Sequence, residues 1–463
     1  MKSLIVTLAL IAGAIWAGTS YFAGAQSKSG YEQFLSQTTA IKPFAFEKES
    51  FEQGLTTSRA VTVVKESSAP GAEILLRLAH DINHSSVQLD DNSPSIGTAT
   101  IRTTLVDGSI NSKYDTIKNI FSGDEPIEII TRASVSGHIA SEIKVNTLTF
   151  SLGESETAIV EETRFTLTNN NSRIVGNGVL GATTLTAADG SSTAISPSIV
   201  SFDLANNQIQ TSDYQVLVKT PELTAQTSFQ NTPITATGLQ LGISADVDGE
   251  QIDYSAFIDI DALDISSTPT TDTAPVTSGT LEIAGNNFNI QAIRDFHDFL
   301  ETQSASGQKT LIQKLTGDDP VKFSEAYLQK FAELATKNIE LGLNLDLNNA
   351  AGNAHAKFNL VFIGDQSETG RDMLVSVGDL VNAIKIEADL VADKAALALT
   401  PDIDVMQSPS AQFVFEDQGD QWVSKLETSG LSADLNGEIY PFFELFGGVL
   451  EIPFKMWLEI QEY

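Results

Sequence analysis

Most of the chain alternates between apolar and polar positions with a period of two, the pattern of β-strands that bury one face. The clearest run extends from Leu239 to Val247, is followed by Asp248-Gly249, and returns from Ile252. Asp-Gly between two alternating runs is a strong signal for a hairpin. Because burial on one face is typical of antiparallel sheets, the sequence predicts a mainly β (α+β) fold built on a long, twisted antiparallel meander.

The period changes to that of a helix at Asn289. Apolar residues recur three and four positions apart over about 289–304 and again, after Pro320, over 321–337. These segments are predicted to be two inserted amphipathic helices that cover part of the sheet. Alternation returns at Ile339. The predicted organisation is a β-rich region 26–288, a helical insertion 289–338, and a β-rich region 339–463 that forms one elongated body with 26–288.

The N-terminal segment has the pattern of a membrane anchor. Residues Ser3 to Ser27 carry no charge, and Lys2 precedes them. About 20 apolar residues span a bilayer as a helix, and positive charge before the run places the N-terminus in the cytoplasm. We therefore expect a single-pass inner-membrane protein, anchored by 1–25, with its bulk in the periplasm. Ala23-Gly24-Ala25 resembles a cleavage site, so a signal peptide cleaved after Ala25 is the alternative.

Composition and charge narrow the function classes. The chain has 27 Lys and Arg against 60 Asp and Glu, a formal net charge of −33 at pH 7. Such an acidic protein is not expected to bind nucleic acid, because phosphate contacts need clustered Lys and Arg. The absence of Cys excludes disulfides, thiolate zinc sites and a cysteine nucleophile. We expect no cofactor.

Several segments together resemble a known family. After the N-terminal segment come Phe44-Ala45-Phe46-Glu47-Lys48-Glu49-Ser50-Phe51-Glu52-Gln53-Gly54-Leu55, then Ser95 to Leu105, then Glu125 to Arg132, and the last hairpin ends in Leu435-Asn436-Gly437. The chain is similar to the YdgA-like family of bacterial envelope proteins, a domain family of unknown function. The resemblance implies inner-membrane anchoring with a periplasmic body, and it supplies no catalytic residues.

Three motifs carry candidate chemistry. His80 and His84 are four residues apart, as in a zinc-binding helix, but the flanking pattern favours strand or loop. Gly176 to Gly181 spells G-x-G-x-x-G, yet strand-like sequence follows it where a dinucleotide site needs a helix. Asp246 to Asp253 is acidic enough for calcium, but an Asp-Gly hairpin accounts for the same residues. We interpret all three as structural.

The absence of a complete catalytic motif favours a non-enzymatic function. The preferred hypothesis is an interaction or scaffold module that contacts other envelope proteins or forms a homodimer. One alternative is a module that binds lipid or another amphiphile in a groove on the apolar sheet face, and another is a periplasmic hydrolase. No catalytic or metal-binding residues are predicted. The residues expected to line an apolar groove are Ile293, Phe296, Phe331, Leu341, Leu343 and Phe358.

Overall fold

The computed structural model describes residues 45–54, 57–65, 74–83, 87–90, 93–96, 99–105, 127–133, 139–151, 156–169, 173–205, 212–226, 233–264, 276–305, 338–349, 351–363, 382–397 and 414–441. Strands dominate these residues, and every strand pairing given below is antiparallel, which confirms the mainly β prediction. The predicted N-terminal membrane helix and the predicted helix over 321–337 lie outside the described residues. The chain divides into two compact units, 1–206 with 216–233, and 207–215 with 234–463.

The first unit contains fifteen described strands that lie wholly within it. They are β1 (Ala45–Gln53), β2 (Thr57–Lys65), β3 (Ile74–Asn83), β4 (Val87–Asp90), β5 (Ser93–Ile96), β6 (Ala99–Leu105), β7 (Ile127–Ala133), β8 (Ile139–Val145), β9 (Leu148–Ser151), β10 (Thr157–Val160), β11 (Thr163–Asn169), β12 (Arg173–Leu180), β13 (Thr183–Thr186), β14 (Ser192–Ile195) and β15 (Ser198–Ala205). Hydrogen-bonded neighbours follow the order β1-β2-β3-β6-β7-β8-β11-β12-β15, and β4 pairs with β5. A second run joins β9, β10, β13 and β14 to the end of β16 (Tyr214–Gln226).

Four successive strand pairs of this unit break at matching positions. The two-residue breaks are Asn146-Thr147, Glu161-Glu162, Gly181-Ala182 and Ser196-Pro197. The backbone N–H of Glu161 donates to the carbonyl of Ala182 across 2.8 Å, which keeps two of the breaks aligned. Each break therefore separates two consecutive strands. The apolar side chains on both sides of the breaks share one core, which includes Ile129, Ile143, Leu148, Ala158 and Leu167.

The second unit is a meander in nearly sequential order. Its strands are β17 (Ile234–Asp248), β18 (Gln251–Ile260), β19 (Ala262–Asp264), β20 (Val276–Asn289), β21 (Glu340–Asn349), β22 (Gly352–Phe362), β23 (Ile384–Asp393), β24 (Glu416–Gln418), β25 (Gln421–Ser429), β26 (Ser432–Leu435) and β27 (Glu438–Pro441). The main ladder runs β17-β18-β20-β21-β22-β23-β25-β26-β27, with β19 on β17 and β24 on β25. The predicted hairpin at Asp248-Gly249 is present, with Asp248 opposite Gln251 and Gly249 at φ 64°.

Two helices occur among the described residues, both in the second unit: α1 (Ile290–Ala305) and α2 (Lys394–Leu397). The first agrees with the helix predicted over about 289–304. It begins directly after β20 because the Asn289 side chain accepts a hydrogen bond from the Ala292 N–H at 3.0 Å, an N-cap.

Candidate binding face

The register of the second unit aligns one face of its sheet into apolar rows. One row crosses eight adjacent strands, each member directly opposite the next, and we call it the central row: Ile243, Ala256, Ile283, Leu343, Phe358, Ala388, Leu426 and Leu435. A parallel row begins Leu241, Ile258, Leu281 and Leu345. We call the surface formed by these rows and the row through Tyr254 and Leu341 the apolar face.

Much of the apolar face is exposed to solvent. Ile283 is 51% exposed and Ile243 48%, whereas Ile252 on β18 is completely buried. The large exposed side chains of the face are Leu241, Ile243, Ile258, Ile283, Leu341 and Phe358. They occupy five adjacent strands, from β17 to β22. Large contiguous apolar surface is rare on monomeric soluble proteins, so this face is the candidate binding surface.

Helix α1 covers one end of this face. Ile290 is buried against Ala245 and Ile252, and Ile293 packs onto the same cluster. Tyr254 and Phe288 complete it, with their rings edge to face at 5.8 Å between centroids. Burial, together with the neighbouring Tyr214, raises the pKa of Tyr254 to about 12, so its hydroxyl stays neutral. The exposed part of the face lies beyond this closed end.

At the opposite end of the strands, an aromatic and a cation lie together. Trp422 stands opposite Ala392, which belongs to the same side of the sheet as Ala354. The ammonium of Lys394, the first residue of α2, lies 4.6 Å from the centre of the Trp422 ring and 2.5 Å from an Asp417 carboxylate oxygen. The hydrogen bond to Lys394 keeps the pKa of Asp417 below its usual value. This contact fixes the short helix against the sheet end.

The structure brings together three of the six residues predicted to line a groove. Leu343 lies opposite Phe358, and Leu341 is two positions along the same strand. Ile293 instead packs into the closed end, Phe296 is partly buried on α1, and Phe331 lies outside the described residues. Leu241, Ile243, Ile258 and Ile283 complete the exposed face and are not among the predicted lining residues. The alternation around Leu281 and Ile283 was the available signal, and only the strand register shows that they adjoin Leu343.

The opposite face of the same sheet is polar. His355 on this face has Nδ1 2.6 Å from a carboxylate oxygen of Asp346. Asp246 and Asp253 are cross-strand partners next to the hairpin, and Asp253 accepts the Asn287 N–H at 2.6 Å. Within the described ranges no group of three or more His, Asp or Glu is placed to hold a metal ion. Among the acidic residues of this hairpin, Asp253 therefore has a structural partner.

In the first unit, His80 and Asp81 of the histidine motif lie on opposite faces of β3. His80 is partly buried on the inner face of β3, with Nε2 2.9 Å from the Thr62 hydroxyl and Nδ1 2.8 Å from the Thr103 hydroxyl. Asp81 instead pairs with Arg59 at 2.8 Å on the exposed side. Burial lowers the pKa of His80 to about 4, so the ring is neutral at pH 7. His84 and His138 lie outside the described residues.

The G-x-G-x-x-G string lies partly in a strand and partly at a strand break, as its structural interpretation predicts. Gly176 and Gly178 lie in β12, where an added Cβ would come within 2.2 Å of the Phe202 ring or 2.1 Å of the Phe165 ring. Gly181 lies at a strand break, where a Cβ would lie 2.2 Å from the carbonyl oxygen of Glu161. Strand β13 follows, not a helix. The string lacks the strand-turn-helix context that a dinucleotide site requires.

A family model described as bacterial protein of unknown function (DUF945) matches residues 1–437. The chain belongs to this family. The match covers nearly the whole chain and confirms the YdgA-like resemblance. No curated protein and no solved structure matches the chain. In the part of the chain that the structure describes, no helix is both long and apolar enough to cross a membrane.

Proposed function

We propose that this protein is a non-enzymatic envelope protein that binds the acyl chains of an amphiphile on the apolar face of its second unit. The observation that carries the proposal is the central row, an unbroken line of apolar side chains across eight strands that leaves Ile243, Ile283 and Phe358 exposed. Leaving so many large apolar groups in water is unfavourable by about 25 cal/mol per Å², and an apolar ligand would remove that cost.

The dimensions of the face suit acyl chains. Five strands at a spacing of about 4.8 Å make the exposed part roughly 19 Å wide. Acyl chains of one leaflet occupy about half of a hydrocarbon core of about 30 Å. A chain lying along the central row would therefore fit within the exposed part, with the flanking rows on either side of it.

The predicted N-terminal anchor would place such a protein beside the membrane that holds its ligands. Residues 1–25 are expected to hold the chain in the inner membrane, with both units in the periplasm, where lipids that leave the membrane need an apolar carrier. The helix predicted over 321–337 adds a second amphipathic segment to the same unit. The face also suits an apolar protein partner, which is the scaffold hypothesis, and the experiment below separates the two.

Site-specific photocrosslinking of the full chain in cells tests the proposal. The photoreactive residue p-benzoylphenylalanine replaces Phe358 in one variant and His355 in a matched control. Both positions lie on β22, but their side chains are on opposite faces of the sheet. Lipid adducts at 358 and none at 355, detected by mass spectrometry of the purified chain, would support lipid binding. Equal yields at both positions, or protein adducts alone at 358, would refute it.

A further inference from the structure

The apolar face of the second unit has two chemically different ends. At one end, α1 closes the face with an apolar cluster in which Ile252 and Ile290 are buried. At the other end lie Lys394, Asp417 and Trp422, which we call the polar end. An amphiphile likewise has an apolar and a polar part, so the two ends of the face are not equivalent for such a ligand.

Trp422 of the polar end lies on the same side of the sheet as Phe358. Phe358 is opposite Ala388, and Trp422 is opposite Ala392, four residues further along the same strand. Because side chains alternate along a strand, positions four residues apart share a side. At about 3.3 Å per residue and 4.8 Å per strand, the two aromatic residues are roughly 16 Å apart. An acyl chain of one leaflet spans about 15 Å, so a chain that starts at the polar end comes close to Phe358.

Lys394 is the basic residue that the described part of the chain places on the apolar side of these strands. The basic residues within β20 to β25 point instead to the polar face, because each is adjacent in sequence to an apolar-side residue: Lys357, Lys385 and Lys425. Lys394 follows β23, and its ammonium lies over the ring of Trp422. Asp417 is directly opposite Trp422 on the neighbouring strand, so the ion pair shares the side of that ring.

The ammonium of Lys394 is held in place and still has donors for a ligand. Its contacts with the Asp417 carboxylate and the Trp422 ring fix its position, and the Lys394 side chain is 32% exposed. An ammonium has three N–H donors, one of which serves Asp417, so the others can bind the oxygens of a phosphate. Tryptophan is also an amphipathic ring that is favoured at boundaries between hydrocarbon and water.

We propose that the amphiphile on the apolar face is a phospholipid whose phosphate binds Lys394 and whose acyl chains extend from Trp422 to Phe358 and the central row. This inference rests on the proposed function, because it concerns the ligand of the same face. The reverse orientation would bring the phosphate against the apolar cluster at α1, where a charge buried without a partner is unfavourable. It would also place acyl chains against the ion pair of the polar end.

The point of attachment in the photoadducts tests the orientation. The full chain carries p-benzoylphenylalanine at Ser424, two residues from Trp422 on the same side of β25, or at Phe358, and is crosslinked in cells. Fragmentation of the adducts in the mass spectrometer shows which part of the lipid is attached. We expect the glycerol or headgroup at 424 and the acyl chains at 358. Any other pattern, including lipid adducts at 358 and none at 424, would overturn the orientation. A complete absence of lipid adducts at 358 would instead overturn the proposed function itself.

Substitutions at Lys394 test the phosphate contact. Lys394→Gln, combined with p-benzoylphenylalanine at 358, should lower the yield of phospholipid adducts about fivefold, the size of one charge contact in water. Lys394→Arg keeps the charge and should retain the yield. The matched control is Lys385→Gln, because Lys385 is 33% exposed and also pairs with carboxylates, those of Glu387 and Glu427, but on the polar face. An unchanged yield in Lys394→Gln, an equal fall in the control, or an equal fall in Lys394→Arg would overturn the assignment of the phosphate to Lys394.

Discussion

Phe358 lies directly opposite Leu343 on the neighbouring strand, and the next member of the same row, Ile283, has half of its side chain in solvent. Three large apolar residues on three adjacent strands are thus aligned on a surface that the described residues leave open. Cross-strand pairs of this kind contribute to sheet stability, but the solvent-facing side of each residue adds nothing to it. Their exposure is the feature on which the proposed ligand binding rests.

The open face predicts a contrast in stability between two isoleucines of neighbouring strands. Ile283→Ala should change the free energy of unfolding by no more than about 0.5 kcal/mol, as surface substitutions do. Ile252→Ala should cost about 2–4 kcal/mol, because this side chain is completely buried beside α1. Urea titrations of the full-length variants give both values. A large loss at Ile283 would mean that the face is packed in the free protein and is not available to a ligand.

The strand break at Gly181-Ala182 in the first unit predicts a strict requirement for glycine at position 181. Gly181→Ala places a methyl group 2.2 Å from the Glu161 carbonyl oxygen, a backbone atom that cannot rotate away. We expect a loss of about 1–3 kcal/mol, the usual cost of overpacking. Gly342→Ala is the control, because its new methyl group meets only Ala284, at 3.9 Å. The thermal midpoint should fall for the first variant and stay near that of the native chain for the second.

Local pattern was sufficient to predict the strands of the second unit, the Asp248-Gly249 hairpin and α1. Each depends on neighbours within a few residues, which the sequence displays directly. The breaks at Asn146-Thr147 and Gly181-Ala182 were not predicted, because their alignment depends on hydrogen bonds between strands that are far apart in sequence. For the same reason the strand alternation did not reveal that the chain divides near 206–234.

The candidate face was predictable only in part. Leu341, Leu343 and Phe358 share a face because β21 and β22 are joined by a short turn, so their register follows from the sequence. Ile283 reaches Leu343 across the whole helical insertion, more than fifty residues away in sequence. Ile293 was expected in the groove, and its position in the closed end depends on where the Asn289 cap starts the helix. Long-range register thus limits what alternation alone can predict.

The backbone conformation of Asn287 predicts how much each substitution at this position costs in stability. It lies at φ 65°, at a shift in the register between β18 and β20, and its N–H donates to Asp253 while its side-chain amide donates to the Asn338 carbonyl at 2.9 Å. Asn287→Val should cost about 1–3 kcal/mol, because a β-branched residue is strained there and the side-chain hydrogen bond to the Asn338 carbonyl is lost. Asn287→Gly should cost less, since glycine adopts this conformation freely. Similar losses for the two variants in urea titrations would contradict the role of the backbone.

The burial of the His80 ring predicts how the stability of the protein depends on pH. Because burial holds its pKa at about 4 in the folded chain, against about 6.5 when unfolded, the unfolded chain binds a proton first as the pH falls. The contribution of the neutral ring is therefore complete above pH 6.5, declines between 6.5 and 4, and is lost below 4. The full loss is about 3 kcal/mol, from 1.36 kcal/mol per pKa unit.

The variant His80→Gln isolates this contribution from the many carboxylates that titrate in the same range. Glutamine can donate to one of the Thr62 and Thr103 hydroxyls and accept from the other, yet it does not titrate. The difference in unfolding free energy between the native chain and the variant should be constant above pH 6.5. It should then shift by up to about 3 kcal/mol in favour of the variant as the pH approaches 4. Parallel curves over the whole range would show that the folded chain accepts a proton at His80 without cost, contrary to the burial of the ring between two threonines.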